Sequence, residues 1–178
     1  MDDVRRAKRV LLYGVTGSGK STAAVAIGAR LALPVHLADE EFGWLPGWVQ
    51  RPADEMRALA ALAAAEPTWV FDTAYGSFRD LVEPRADVVI GLDYPRWISL
   101  GRLLKRTVIR VIDRRPVCNG NVETFRQVFS PDSIVVWHFR SFARKRAIVR
   151  AWAARADGPP VMVVRRPRDL ERLVRTLS

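Results

Sequence analysis

Residues 14 to 21 read Gly-Val-Thr-Gly-Ser-Gly-Lys-Ser and follow the short apolar run at 10–13. They fit the pattern G-x-x-x-x-G-K-[ST], in which glycines let backbone N–H groups converge on phosphate oxygens. A helix that begins near Lys20 would add its positive dipole end, the lysine would reach the β- and γ-phosphates, and the Ser21 hydroxyl would ligate Mg²⁺. The pattern predicts a polyphosphate loop made of Gly14, Val15, Thr16, Gly17, Ser18, Gly19, Lys20, Ser21 and Thr22.

Carboxylates follow the predicted strands. Asp72 closes the third strand, where a carboxylate can hold Mg²⁺ or orient an acceptor, although a turn or cap aspartate is the alternative. Asp39, Glu40 and Glu41 follow the second strand, and a carboxylate there can accept a proton from an attacking hydroxyl. Asp39 and Glu40 are the candidates, with a solvated acidic turn as the alternative interpretation. Asp93 is interpreted as the cap of the following helix.

Arginines recur every four residues on one predicted helix, at Arg102, Arg106 and Arg110. Arginine clamps stabilise the charge that develops on a transferring phosphoryl group, so Arg102 and Arg106 are candidate catalytic residues. A solvated basic face is the alternative. Arg79, after the third strand, and Arg140, on the next long helix, are candidate substrate contacts.

Aromatic and metal-binding residue types give weaker signals. Trp44 and Trp48 lie in one predicted loop, where a tryptophan ring either stacks on a base or packs against the protein. Packing is the favoured interpretation, and Trp44 remains a candidate substrate contact. Cys118, His36 and His138 are interpreted as structural or incidental, because one cysteine and two histidines form neither a disulfide framework nor a metal cluster.

The elements that must position these residues are predicted from hydrophobic patterning. Five short apolar runs predict strands at 10–13, 35–38, 69–71, 88–92 and 161–164. Helices are predicted between and after them, at 20–33, 52–65, 95–113, 133–156 and 167–177, with a short helix after residue 77 and a loop or lid at 114–132. The alternation predicts a three-layer α/β fold, in which helices cover both faces of a parallel sheet. Ligands bind such sheets at the carboxyl ends of the strands, where the glycine loop and the carboxylates stand.

Length and charge bound the class of protein. The chain has 178 residues, which predicts a single domain over 1–178, and its formal net charge of +10 favours polyanionic ligands. Nucleic acid is a less favoured partner, because no recognition motif accompanies the charge. The apolar runs fall short of the ~20 residues that a membrane helix needs. We expect a cytoplasmic protein with no membrane partner.

Several segments together carry a resemblance to a known family. They are the glycine loop, the segment Trp44-x-Pro46-Gly47-Trp48, the strand 69–72 with Tyr75-Gly76 and Arg79 behind it, the run 86–96, Arg102, Arg106, Arg115-Pro116, Asn121-x-Glu123 and Trp137-x-x-Arg140. In these the chain resembles the topology modulation proteins, a branch of the adenylate kinase-related P-loop kinases. The resemblance departs from the family pattern after Asp72, where Thr73-Ala74-Tyr75 stands in place of Gly-Asn-Tyr.

The resemblance implies a five-stranded sheet in the order 2-3-1-4-5, ATP as phosphate donor, and a mobile lid between the fourth and fifth strands. It also implies that Lys20 and Ser21 hold the triphosphate and Mg²⁺ while Arg102 and Arg106 close over them. The resulting expectation is an ATP-dependent phosphotransferase that acts on a small acceptor, with nucleotides and nucleosides as candidates. The alternatives are a DNA-associated nucleotide-binding regulatory protein with weak or no kinase activity, and a plain ATPase.

Overall fold

A computed structural model describes residues 2–114, 116–124 and 133–177. Its strands are β1 Arg9–Gly14, β2 Val35–His36, β3 Trp44–Leu45, β4 Val49–Gln50, β5 Trp69–Phe71, β6 Val88–Leu92 and β7 Val161–Val164. Its α-helices are α1 Asp2–Arg6, α2 Lys20–Leu31, α3 Ala53–Ala65, α4 Arg79–Val82, α5 Arg96–Asp113, α6 Ile134–Ala154 and α7 Pro167–Arg175. A π-helical turn covers Asp39–Gly43, and 3₁₀ turns cover Pro46–Trp48 and Glu83–Arg85.

Five strands form one parallel sheet in the order β2-β5-β1-β6-β7. These are the five predicted strands, and the predicted α/β fold class is confirmed. Strands β3 and β4 form a separate antiparallel hairpin. The strand order therefore differs in its labels from the predicted 2-3-1-4-5, because the hairpin adds two strands that the irregular-looking sequence at 39–50 did not predict.

Alternate residues of the central strands face two different cores. Leu11 and Tyr13 of β1 lie in one core with residues of α3 and α6. Val10 and Leu12 lie in the other core with residues of α1, α2 and α7. Because both faces of the sheet are buried, the strands read as continuous apolar runs rather than as alternating patterns.

The ends of the elements differ modestly from the predicted ones. The helix predicted at 20–33 ends at Leu31, where Ala32 takes a left-handed conformation with φ 53°. The strand predicted at 35–38 stops at His36, and Ala38 begins the π-helical turn. Helix α1 was not predicted, since five residues carry too little pattern to distinguish a helix from a charged tail.

Asp93 corrects one prediction, since it does not cap α5. The helix has Pro95 at its N-cap and no side-chain cap. The Asp93 carboxylate instead accepts hydrogen bonds from Arg146 and from Arg150, the latter at 3.0 Å. Burial alone would raise the pKa of Asp93, but these two arginines lower it below its usual range. Asp93 thus ties the end of β6 to α6.

The predicted lid at 114–132 is described in part. Residues 116–124 form a turn closed by a bridge between Val117 and Asn121, with Cys118 and Asn119 at φ 44° and 65°. Arg115 and residues 125–132 lie outside the described residues. None of the described helices combines the length and apolarity that a membrane span requires.

Candidate active site

The glycine loop connects β1 to α2 and is tightly curled. Gly17 and Gly19 have φ values of 82° and 92°, which residues with a side chain rarely adopt. The Ser18 hydroxyl donates to the Val15 carbonyl at 2.7 Å, and Lys20 Nζ donates to the same carbonyl at 3.0 Å. The lysine side chain therefore folds back over the loop, in the position that a phosphate-binding lysine needs.

Helix α5 packs directly against this loop. A Cβ atom on Gly17 would lie 2.8 Å from Leu103 Cβ and would also collide with the Ser99 carbonyl oxygen. A Cβ atom on Gly19 would lie 3.0 Å from Arg102 Nη2. The loop glycines thus allow α5 to approach and bring the Arg102 guanidinium beside the start of α2.

Ser21 and Asp72 meet at the ends of α2 and β5. The Ser21 hydroxyl donates to Asp72 Oδ2 at 2.5 Å, and Oδ1 accepts from the Ala38 N–H at 2.9 Å. Burial raises the pKa of Asp72, although these bonds and the Lys20 charge oppose the change. Burial likewise lowers the pKa of Lys20, against the attraction of Asp72 and Asp39. Each charge thus partly offsets the effect of burial on the other.

The Ser21–Asp72 pair fits a magnesium ion. Mg²⁺ in nucleotide sites takes one or two protein oxygens and completes its shell with phosphate oxygens and water. A hydroxyl and a carboxylate in contact beside the glycine loop provide that donor set. Within 2–114, 116–124 and 133–177, no group of three or more His, Cys, Asp or Glu side chains could hold a metal ion by itself.

Arg106 of α5 reaches the same place. Burial lowers the pKa of its guanidinium, the neighbouring Arg110 lowers it further, and Glu123 and Asp39 oppose the change. Its Nε is buried and makes no hydrogen bond to any described residue. Arg110 is different, because it pairs with Glu123 at 3.0 Å. Of the arginine stripe, Arg102 lies beside Gly19 of the loop, Arg106 interacts with Lys20 and Asp39, and Arg110 pairs with Glu123 in the turn at 116–124.

Lys145 is a further basic residue at the candidate site, and it was not predicted from the sequence. It lies on α6 with Nζ 5.9 Å from the centre of the Tyr13 ring. Burial lowers its pKa to about 7, the Lys20 charge lowers it further, and Asp39 and Asp72 act in the opposite direction. No motif marks this lysine, which stands between Arg144 and Arg146 in a basic stretch. Only the packing of α6 over the end of β1 reveals it.

Asp39 and Glu40 are adjacent in the π-helical turn, but their side chains have different surroundings. The Asp39 carboxylate is exposed and accepts a hydrogen bond from the Tyr75 hydroxyl. Glu40 lines an outer cleft of about 610 Å³ together with His36, Glu41 and Arg51, among others. The charges of both Asp39 and Glu40 help to raise the pKa of Cys118. The charge of Asp39 acts on Lys20, Arg106 and Lys145.

The other three predicted substrate contacts have different surroundings in the structure. Arg79 is half-buried at the start of α4, and its Nη1 lies 3.5 Å from the Tyr13 hydroxyl. Trp44 packs edge to face on Trp48 with the ring centres 5.7 Å apart, as the packing interpretation predicts. Arg140 is exposed near the start of α6, and no contact joins it to the described residues of the loop.

The turn at 116–124 packs against the segment that contains the β3–β4 hairpin. Asn119 Nδ2 donates to the carbonyls of Glu40 and Trp44 at 2.7 and 2.6 Å. Asn121 donates to the Leu45 carbonyl at 3.0 Å and accepts from the Trp48 N–H at 2.7 Å. These bonds hold the turn against the β3–β4 hairpin. They also place Cys118 close to Asp39, whose charge helps burial raise the pKa of the thiol to about 12.

Both histidines have structural contacts. His138 is buried, with Nε2 3.2 Å from the Ser99 hydroxyl and its ring stacked on Phe142. His36 Nδ1 lies 2.8 Å from Glu41, and this hydrogen bond raises the pKa of His36. None of these contacts involves a residue of the glycine loop. This agrees with the interpretation of both histidines as structural.

Comparison with known proteins identifies the fold. No protein-family model matches the chain, and no curated protein matches its sequence. Among solved structures, a gluconokinase from Sinorhizobium meliloti 1021 matches with a TM-score of 0.54 at 17% identity, over 95% of this chain and 88% of that one. A deoxyadenosine kinase from M. mycoides with bound dCTP matches with a TM-score of 0.50 at 12% identity, over 94% and 97% of the two chains.

A sugar kinase from Janibacter sp. HTCC2649 matches with a TM-score of 0.50 at 20% identity, over 95% of this chain and 91% of that one. The chain therefore has the fold of the P-loop kinases along nearly its whole length. At these identities the likeness concerns the fold alone. The residues of the site must carry any argument about chemistry.

Proposed function

We propose that this protein binds Mg²⁺-ATP in the loop 14–22 and transfers the γ-phosphoryl group to a small acceptor. The observation that carries the proposal lies at the ends of β1, β2 and β5, where Lys20 and Lys145 feel the charges of Asp39 and Asp72, and Arg106 feels that of Asp39. Cations that surround a glycine loop stabilise the charge of a triphosphate and of its transfer. The kinase fold of the matched structures supports the same conclusion.

Each group has a role in this proposal. The loop amides and Lys20 bind the β- and γ-phosphates, and Arg102, Arg106 and Lys145 stabilise the charge that develops on the transferring group. Ser21 and Asp72 hold the metal ion, which neutralises phosphate charge when it is bound.

On the acceptor side, Asp39 faces the acceptor, and Arg79, Trp44 and Arg140 are its proposed contacts. Closure of the segment 114–132 would exclude water, so that the phosphoryl group reaches the acceptor rather than hydrolysing. A place in the topology modulation branch of these kinases and a cytoplasmic location are parts of the same proposal.

Turnover of ATP with and without acceptors tests this function. We expect ADP formation to rise well above the hydrolysis background with one class of nucleosides, nucleotides or polyols. Lys20→Ala should abolish it, whereas Lys105→Ala, an exposed lysine of α5, should not.

Two results contradict the proposal. A rate indifferent to every acceptor indicates a plain ATPase. No turnover, together with salt-sensitive DNA binding, indicates the regulatory alternative that the +10 charge allows.

A further inference from the structure

We propose that the acceptor presents a hydroxyl group, not a phosphate, and that the Asp39 carboxylate accepts the proton of that hydroxyl. This inference rests on the proposed function and names the substrate class of the same site. It depends on where Asp39 lies, on what holds it there, and on which kind of nucleophile needs a carboxylate.

Asp39 is exposed and lies near basic side chains from three helices. Its charge raises the pKa of Lys20 of α2, of Arg106 of α5 and of Lys145 of α6, so all three lie within electrostatic reach of it. Its side chain is exposed, and an acceptor can therefore reach it from solvent. A carboxylate among the cations that bind the transferring phosphoryl group stands where the attacking atom must approach.

Tyr75 holds the Asp39 carboxylate in position. The Tyr75 hydroxyl donates to Asp39 Oδ1, and Oδ2 makes no hydrogen bond to the described residues. The Tyr75 ring stacks on Phe78 with 5.5 Å between the ring centres. Gly43 leaves room for the hydroxyl, because a Cβ atom there would lie 2.6 Å from Tyr75 Oη.

Burial raises the pKa of Tyr75, and the Asp39 charge raises it further, so the phenol stays protonated and remains a donor. One carboxylate oxygen is thus fixed by Tyr75, and the other is available to substrate.

The third step is the chemistry of the two acceptor classes. A phosphate monoester already carries a nucleophilic anionic oxygen at neutral pH, so it needs no base, and a nearby carboxylate repels it. An alcohol must lose its proton as it attacks, and a carboxylate within reach of that proton assists the transfer. A carboxylate at this place, with Oδ2 available to substrate, therefore favours an alcohol.

The proposed transfer requires only ATP and the alcohol as reactants. The acceptor oxygen forms a bond to the γ-phosphorus of ATP as its proton passes to Asp39 Oδ2. The bond between the γ-phosphorus and the β,γ-bridging oxygen breaks, and its electron pair leaves with ADP. The product is a phosphomonoester, and the proton on Asp39 returns to solvent.

The experiment offers both classes of acceptor to the full chain with Mg²⁺-ATP. Nucleoside monophosphates supply phosphate acceptors, and nucleosides, sugars, polyols and sugar acids supply hydroxyl acceptors. We expect transfer to a hydroxyl compound, and Asp39→Asn should lower kcat by about 100-fold or more while ATP binds as before. Asp54→Asn, an exposed aspartate on α3, is the matched control and should leave the rate unchanged. Thermal melting of each variant shows that it remains folded.

The two acceptor classes predict opposite effects of Asp39→Asn on the rate of phosphoryl transfer. If the protein phosphorylates only nucleoside monophosphates and Asp39→Asn keeps or raises the rate, this inference is wrong and the proposed function stands. If the loss falls on Glu40→Gln instead, the base is misassigned and the inference is likewise overturned. If no acceptor of either class is phosphorylated, the proposed function fails and takes this inference with it.

Discussion

Ser21 Oγ lies 2.5 Å from Asp72 Oδ2, and this hydrogen bond joins the first turn of α2 to the end of β5. The two residues are far apart in the chain, and the parallel pairing of β1 with β5 brings them together. The contact places a hydroxyl and a buried carboxylate side by side beneath the glycine loop. These two residues are the ones that would hold Mg²⁺ in the proposed site, where the ion would neutralise phosphate charge.

Asp72→Asn separates metal binding from phosphate binding. We expect the affinity for ATP in the presence of Mg²⁺ to fall by about 10–100-fold, because the metal loses a carboxylate partner. ATP without metal should bind as well or better, because a negative charge near the phosphates is gone. Calorimetric titration with and without Mg²⁺ measures both. An equal loss under the two conditions would show that Asp72 is structural.

Gly17→Ala tests the packing of α5 on the loop. A methyl group at φ 82° would strain the backbone and collide with α5, so nucleotide binding should be lost. Gly101 lies on α5 itself, and a methyl group there would meet no described residue beyond its own helix within 4 Å. Gly101→Ala should therefore keep binding and raise stability by about 1 kcal/mol, as expected for an exposed helix position. Binding that survives Gly17→Ala would contradict the loop geometry.

Lys145 should make ATP binding depend on pH. Its pKa is about 7 in the folded protein against 10.5 for an ordinary lysine, so it is charged below pH 7 and neutral above it. Affinity for ATP should therefore fall as the pH rises through 7. A charged contact contributes about 1.5–3 kcal/mol, so Lys145→Met should lower the affinity about 10–100-fold below pH 7 and flatten this part of the profile.

The free energy of unfolding should change with pH in the direction opposite to ATP affinity. This difference gives an independent check on Lys145. Between about pH 7 and 10.5 the unfolded chain binds a proton that the folded protein lacks, so folding should become more favourable as the pH rises. Thermal melting across this range measures the slope, and Lys145→Met should reduce it. An unchanged slope in the variant would show that Lys145 is charged in the free protein.

Asp93→Asn should destabilise the fold without a direct effect on the site. The carboxylate is only 4% exposed and holds two arginines of α6 at the end of β6. Loss of its charged hydrogen bonds should cost about 1.5–3 kcal/mol in the free energy of unfolding. Asp80→Asn, which removes the exposed partner of Arg57, should change stability far less. Chemical denaturation measures both, and equal effects would contradict the role assigned to Asp93.

Patterns within a few consecutive residues carried much of the fold. The runs at 69–71, 88–92 and 161–164 are strands with the predicted ends, because a strand buried on both faces must be apolar at every position. The loop 14–22 was predictable for a similar reason, since its backbone needs glycine at fixed places. The β3–β4 hairpin was not predictable, because Trp44, Pro46 and Gly47 signal a turn but not its strand partners.

By itself, the sequence determined that a glycine loop stands between a buried strand and a helix, because local backbone conformation depends on local residue types. The tertiary structure decided that Asp39 contacts Tyr75 whereas Glu40 lines the outer cleft, that Asp93 binds α6, and that Lys145 lies over the Tyr13 ring of β1. Those outcomes depend on which side chains meet across distant elements. Burial and neighbouring charges then set the chemistry of each group, and neither can be read from its position in the chain.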